Sequence, residues 1–121
     1  MTVREAITTA DALAPNAVAE EIKVRWLSEL DGRAVCEIHA PDKAASFSGY
    51  TVDTSKETVL QIPYPYDSIY PIWLNMQINR LNGEMQKYND GAALCEETLN
   101  AYRRYLERSA PPLPPCTIRY Y

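Results

Sequence analysis

The chain has 121 residues, a formal net charge of −4 at pH 7 and 46% apolar residues. At this length about two-thirds of the unfolded surface is buried on folding, which suffices for one core, so we expect a single domain over residues 1–121. No apolar run approaches the ~20 residues that span a bilayer, and the first residues lack the features of a signal peptide. The acidic balance argues against binding nucleic acid through a basic face.

Three cysteines and one histidine are the residues most able to carry chemistry, and their spacing predicts none. Cys36, Cys95 and Cys116 are odd in number and widely separated, so we expect reduced thiols and no disulfide framework. Cys36 and His39 could meet on one helical turn as a nucleophile and its base, but a half-buried thiol beside a solvated imidazole explains them better. The sequence has no zinc-ligand spacing, phosphate loop or facing carboxylate pair, so we expect no catalytic residues, metal or cofactor.

Residues 1–38 predict two amphipathic N-terminal helices. Thr2 and Glu5 have the spacing of a capping box, and Asn16, which follows a proline, is the expected N-cap of the second helix. The stretch 33–39 could also be a short strand, and we favour helix. The apolar stripes are Val3, Ala6, Ile7, Ala10 and Leu13 in the first helix, and Val18, Ile22, Trp26 and Leu30 in the second.

A polar loop over 39–58 follows, rich in Pro, Asp, Ser, Thr and Gly. It is either a mobile surface segment or one that a partner orders.

Residues 59–62 predict a short strand, and 111–121 predict a proline-rich spacer with a β-prone tail. Strand and tail would form a minor two-stranded β element within one chain, or the tail would add to a neighbour's edge.

Residues 67–108 predict a long antiparallel helical hairpin. Asp67 caps its first helix, which is expected to run to Tyr88, and Asn89-Asp90-Gly91 supplies the turn. The core stripes are Tyr70, Leu74, Ile78, Leu81, Met85 and Tyr88, and then Ala92, Cys95, Leu99, Tyr102 and Leu106. The fold class is therefore mainly α, a small helical bundle with this hairpin, two N-terminal helices, a mobile polar loop and a minor β element.

The start of the hairpin also carries a second apolar patch, comprising Ile69, Ile72, Trp73 and Met76. A helix that is apolar all round must be covered on every side, either by the two N-terminal helices or by another subunit. Nine tyrosines against one phenylalanine favour a half-wet contact between subunits. The further interface candidates lie in loops and tails: Tyr50, Tyr64, Tyr66, Tyr120 and Tyr121. A site that stacks a sugar or nucleotide on these rings is the alternative.

Two stretches in the middle of the chain form a motif that resembles small proteins encoded in phage and prophage morphogenesis clusters. The chain reads LQIPYPYDSIY over 60–70 and LNMQINRLNGEMQKYN over 74–89. The family typically reads L-V-P-x-P-Y-D-x-x-Y and then Q-I-x-x-x-N-G-E-x-x-x-Y-N, and residues 2–32 are similar to its opening. The matching positions mark a strand-to-helix turn, a cap and a helix hairpin: Pro65, Tyr66, Asp67, Tyr70, Gln77, Asn82, Gly83, Glu84, Tyr88 and Asn89.

Such proteins are similar to the head–tail connectors, or head-completion adaptors, of long-tailed phages. The resemblance implies a structural virion protein that forms a ring, dodecameric in the particle, between the portal and the next neck or tail protein. It implies that DNA passes through without specific binding, that no membrane, cofactor or catalysis is involved, and that the protein is made in the host cytoplasm and located in the virion neck. The alternatives are a non-viral helical protein–protein interaction module that docks through the Trp73 patch and, remotely, a small enzyme.

Overall fold

The computed structural model describes residues 1–38 and 47–109. Four α-helices lie in these ranges: α1 Val3–Leu13, α2 Glu20–Glu37, α3 Ile69–Leu81 and α4 Met85–Ser109, with a 3₁₀ turn over Tyr66–Ser68 before α3. The described chain is thus mainly helical, as the sequence predicts. Within it, none of the helices combines the length and apolarity needed to cross a bilayer. The predicted spacer and tail, and positions 39–46 of the predicted loop, lie outside the described residues.

The predicted capping box begins α1. Thr2 Oγ1 accepts a hydrogen bond from the Glu5 amide at 3.2 Å, and Glu5 Oε1 accepts one from the Thr2 amide at 3.0 Å. Two backbone donors at the start of the helix are therefore satisfied, and the backbone and side-chain hydrogen bonds with Thr2 lower the pKa of Glu5. Four residues of the predicted stripe are buried, whereas Leu13 at its end is 70% exposed.

α2 begins later than predicted, because Asn16 closes a turn instead of capping the helix. Asn16 Oδ1 accepts from the Val18 amide at 3.0 Å, and Asn16 Nδ2 donates to Asp11 Oδ1 at 3.0 Å. The helix starts at Glu20 without a side-chain cap and continues to Glu37, so the prediction of helix for its last turns is confirmed.

The predicted apolar stripe of α2 is only partly correct. Trp26 and Leu30 are buried, but Ile22 is 39% exposed. Two charged residues, Lys23 and Asp31, are buried on this helix instead. Lys23 forms an ion pair at 2.7 Å with the half-exposed carboxylate of Asp11, which joins the start of α2 to the end of α1.

The predicted strand over 59–62 is wrong, since the described residues contain no strand. The segment makes one isolated antiparallel bridge, between Thr2 and Val59, and the Leu60 amide donates to the Met1 carbonyl at 2.9 Å. It therefore lies against the start of α1. The tail expected to pair with it is outside the described residues.

The chain reverses at Asn82–Glu84, so the turn predicted at 89–91 is wrong and those residues lie inside α4. Gly83 has a φ of 76°, its amide donates to the Arg80 carbonyl at 3.2 Å, and the Glu84 amide donates to the Asn79 carbonyl at 2.9 Å. This is the Schellman arrangement, in which a glycine of positive φ satisfies the last carbonyls of a helix.

Contacts between the helices show which of their ends lie together, and α2 runs opposite to α3 because Asp31 bonds to Tyr70 while the earlier Trp26 bonds to the later Trp73. The Met1 ammonium lies 3.5 Å from Asp67 Oδ2, so α1 and α3 start together. The end of α1 meets the start of α2 through the ion pair described above. Trp73 Nε1 donates to the Trp26 carbonyl at 2.9 Å, near the start of α3 and the middle of α2.

α4 packs against α3 and runs antiparallel to it. The ring of Tyr66, just before α3, lies 5.5 Å from the rings of Tyr102 and Tyr105, near the end of α4. Further along, a Cβ placed on Gly91 would lie 3.0 Å from Met76 Cβ, so the two helices approach closely at this glycine.

The core stripes predicted for the hairpin differ in their outcome. In α4 the prediction is confirmed: Cys95, Leu99 and Tyr102 are buried, and Ala92 and Leu106 pack against the core. In the stripe that begins in α3, the first three residues are buried, but Leu81 at the end of α3 is 60% exposed and Met85 at the start of α4 is 53% exposed. The reason is the break after Leu81, which ends the helical period on which that stripe depended.

Two glycines give opposite predictions for stability. In Gly83→Ala the positive φ disfavours the new side chain, so we expect a loss of about 1 kcal/mol in the free energy of unfolding. In Gly32→Ala, inside α2, the added Cβ meets Phe47 at an ordinary 3.7 Å, and alanine favours the helix by about 0.5–1 kcal/mol. Urea unfolding monitored by circular dichroism measures the free energy of unfolding of both variants. Equal changes of that free energy in the same direction would contradict the prediction.

Candidate functional site

The most densely connected polar group in the described chain is the carboxylate of Asp31, in the middle of α2. Tyr70 donates to Oδ1 at 2.5 Å, and Tyr50 and the Gln61 amide donate to Oδ2 at 2.5 and 3.0 Å. The Tyr70 hydroxyl also accepts from the Ile62 amide at 2.8 Å. We call Asp31, Tyr50 and Tyr70 the carboxylate cluster. It joins α2 to α3 and to the segment before α3.

The electrostatics of the carboxylate cluster follow from its burial. Asp31 has no exposed surface, and burial raises its pKa although three hydrogen bonds oppose that shift. Burial and the nearby carboxylate raise the pKa of Tyr50 and of Tyr70, so both hydroxyls keep their protons and donate. Every donor in the cluster is therefore used to hold the structure, and none is directed at a substrate.

Sequence reasoning missed Asp31, although one signal was present. On α2 the buried residues Val24, Leu27 and Ala34 share one face, and Asp31 completes their spacing of three, four and three positions. A charged residue at such a position must find partners in the core. The tyrosines that supply them lie far along the chain, so the signal identifies the acid but not its donors.

Two of the predicted interface residues are buried by the chain itself. Ile69 has no exposed surface and Met76 is 4% exposed. Met76 is covered by α4 where Gly91 allows the close approach. The prediction that Ile69 and Met76 face another subunit is therefore wrong.

The other two residues of the Trp73 patch keep part of their surface exposed. Ile72 and Trp73 pack against the core, and Trp73 donates to the α2 backbone. The sequence left open whether the chain's own helices or another subunit covers this patch. The chain's own helices cover most of it. A contact between Ile72 or Trp73 and another molecule stays a prediction.

The predicted interface tyrosines divide by exposure. Tyr50 and Tyr66 pack against the core, Tyr50 through its bond to Asp31 and Tyr66 through the rings of α4. Tyr64 is 85% exposed, so it retains the exposure that an interface residue needs. Tyr120 and Tyr121 lie outside the described residues.

The residues of the sequence motif occupy structural positions. Tyr70 belongs to the carboxylate cluster, and Tyr66 and Asp67 lie in the 3₁₀ turn before α3. Asn82, Gly83 and Glu84 form the turn between α3 and α4. The remaining motif residues are Pro65, which is exposed and follows a cis peptide bond, the buried Gln77, the partly buried Tyr88 and the exposed Asn89.

Exposed apolar side chains lie at both ends of the helical bundle. We call Leu13, Ile22, Leu81 and Met85 the turn end, because they lie at the end of α1, the start of α2 and the turn between α3 and α4. The opposite end carries Val59 and Tyr64, 66% and 85% exposed, beside the starts of α1 and α3. Scattered exposed apolar residues are ordinary, so the four at the turn end are candidates for contact with another molecule because they share one end of the bundle.

A shallow open cavity of about 240 Å³ lies beside α2 and is lined by Glu21, Arg25, Tyr50, Thr51 and Val52. It is smaller than the ~300–1,000 Å³ typical of small-molecule sites. Its aromatic residue, Tyr50, is held by Asp31 and by an edge-on contact with Phe47. This geometry does not favour the alternative of a site that stacks a sugar or nucleotide.

The two cysteines of the described chain are free thiols in different surroundings. Cys36 is exposed, and Cys95 is buried with its pKa raised to about 12, chiefly by burial. Among residues 1–38 and 47–109 no group of His, Cys, Asp and Glu could hold a metal ion. Cys116 and His39 are outside those ranges.

Comparison of the chain with known protein families, with curated proteins and with solved structures finds no match.

Replacing Asp31 tests the carboxylate cluster. Asp31→Ala leaves the buried Tyr70 hydroxyl and the Gln61 amide without their acceptor, and we expect it to lower the free energy of unfolding by about 3 kcal/mol. The matched control is Glu29→Ala, an exposed acid on the same helix, for which a change within about 0.5 kcal/mol is expected. Equal effects in urea unfolding would contradict the assignment.

Asp31 also predicts a pH dependence of stability. Burial raises its pKa above the ordinary 3.8, so the folded chain holds this proton more tightly than the unfolded chain. The stabilisation is complete below 3.8 and is lost as the pH rises through the folded value. Asp31→Asn removes this titration. The stability of the wild type relative to the variant should therefore fall between pH 3 and pH 7, measured by unfolding at each pH, and a rise would contradict it.

Proposed function

We propose that this chain is a structural subunit of a bacteriophage virion, a head–tail connector that forms a ring between the portal and the tail. The observation that carries the proposal is the pair of unlike apolar surfaces at opposite ends of the bundle, the turn end and the Val59–Tyr64 end. A closed ring needs two different patches on each subunit that fit each other, since its contacts are heterologous.

The resemblance of the sequence to phage connectors supports the same proposal. Several of its motif residues form the connections that shape the hairpin, namely the 3₁₀ turn at Asp67, the Tyr70 bond to Asp31 and the Asn82–Glu84 turn. A chain that keeps these residues keeps the relative direction of α3 and α4. The proposal therefore includes a long antiparallel hairpin as the rigid part of each subunit.

A structural rather than catalytic role is also part of the proposal. The buried acid and tyrosines that might suggest an active site use their hydrogen-bonding groups on one another and on the backbone. The cavity beside Tyr50 is small and open. These features support a protein that acts by contact.

The charge of the chain bears on the path of DNA. Each subunit carries a net charge of −4, so a ring of copies is an acidic assembly. DNA would be repelled by such a wall and would slide through the lumen without specific binding. Contacts to the portal on one side and to the next neck or tail protein on the other complete the proposed arrangement, in the neck of the virion.

The decisive experiment mixes the purified chain with portal rings from the same phage or prophage and images the product by electron microscopy. We expect a second ring on the portal. In Leu81→Ser/Met85→Ser the turn end loses two exposed apolar side chains, and we expect no ring. The matched control, Gln86→Ser/Lys87→Ser, changes exposed polar residues beside them and should assemble as the wild type does.

Circular dichroism of each variant shows that the fold is kept. Portal rings that remain bare with the wild-type chain would contradict the connector proposal. Equal assembly of the turn-end variant and its control would show that the turn end does not make the contact.

A further inference from the structure

One side of α4 has a spacing typical of a helix that packs against another helix. Leu94, Thr98, Ala101 and Tyr105 recur at intervals of four, three and four residues, so they form one line along the helix surface. We call these four residues the α4 seam. Leu94 and Tyr105 are 49% and 42% exposed, and Thr98 and Ala101 are partly exposed. The seam lies beside the buried stripe of Cys95, Leu99 and Tyr102.

The α4 seam can be covered at little cost. The Thr98 hydroxyl donates to the Leu94 carbonyl at 2.9 Å, so covering Thr98 leaves no unpaired polar group. The Tyr105 ring packs at 5.5 Å against Tyr66, which limits the freedom that it would lose on binding. Ala101 is small, which allows the backbone of a second helix to come close.

The charges beside the seam indicate what covers it. Asp90 and Glu97 flank its first half and Arg104 and Arg108 its second half, and all four are exposed. Within the described residues, Glu97, Arg104 and Arg108 form no ion pair. A second α4 lying antiparallel brings the acidic half of each helix to the basic half of the other, whereas a parallel one brings like charges together.

We propose that two copies of this chain pair through their α4 seams, with the helices antiparallel about a two-fold axis. In this register Leu94 packs on the partner's Tyr105, and Thr98 packs on the partner's Ala101. Glu97 faces the partner's Arg104, and Asp90 faces the partner's Arg108. A large residue then meets a medium one at each end, while two small residues meet at the centre.

The pairing does not depend on the connector function. The seam lies along the side of α4, and the surfaces proposed for the ring lie at the two ends of the bundle. It covers three helical turns, about 16 Å, so the dimer is a weak one that forms at high concentration.

Charge reversal at two exposed positions tests the pairing without touching the core. Glu97→Arg and Arg104→Glu each place like charges together in the antiparallel register, and we expect each to raise the dissociation constant at least about tenfold. The double variant restores opposite charges and should dimerise as the wild type does. An equimolar mixture of the two single variants should form heterodimers, although neither pairs with itself. Sedimentation equilibrium measures all four.

The control is Glu107→Arg, an exposed acid on the same helix that points away from the seam, for which an unchanged dissociation constant is expected. Circular dichroism verifies that each variant is folded. The proposal is overturned if the wild type stays monomeric up to millimolar concentration, if the single reversals associate as the wild type does, or if the double variant fails to recover. Failure here would leave the ring contacts at the two ends untouched, so the two proposals are tested separately.

Discussion

The structure depends on one buried charge. The Asp31 carboxylate is fully enclosed, and the three groups that donate to it come from α3 and from the segment before α3. Since an uncompensated carboxylate in the core is very unfavourable, α2, α3 and this segment must adopt positions in which all three donors reach it. Such a group adds little net stability, because burial opposes its charge, as the raised pKa shows. Its effect is to fix one relative placement of the elements.

Much of the fold could be predicted because its signals are local. The capping box of Thr2 and Glu5 and the stripe through Cys95, Leu99 and Tyr102 are both read from neighbouring residues. The reversal of the chain could not be placed in this way. Both Asn82-Gly83 and Asn89-Asp90-Gly91 have turn chemistry, and the choice is made by packing: Gly91 is needed where α4 crosses Met76, which leaves the positive φ to Gly83.

The candidate surfaces were harder to predict, for a related reason. Apolar content around α3 indicates that something must cover Ile69 and Met76, but not whether the same chain does so. Leu81 and Met85 have the opposite outcome: the sequence predicts that they are buried, but the helix breaks after Leu81 and both are exposed. The exposed apolar surface therefore lies about three turns from where the sequence placed it, at the turn end and not at the start of α3.

The contact between the two tryptophans has a practical consequence. Trp26 is 6% exposed, Trp73 donates to its carbonyl, and the sequence contains no other tryptophan. The tryptophan emission of the protein accordingly originates at the junction of α2 and α3. A red shift of that emission therefore reports that water has reached this junction, so a single optical readout follows the unfolding of the part of the core that joins α2 to α3.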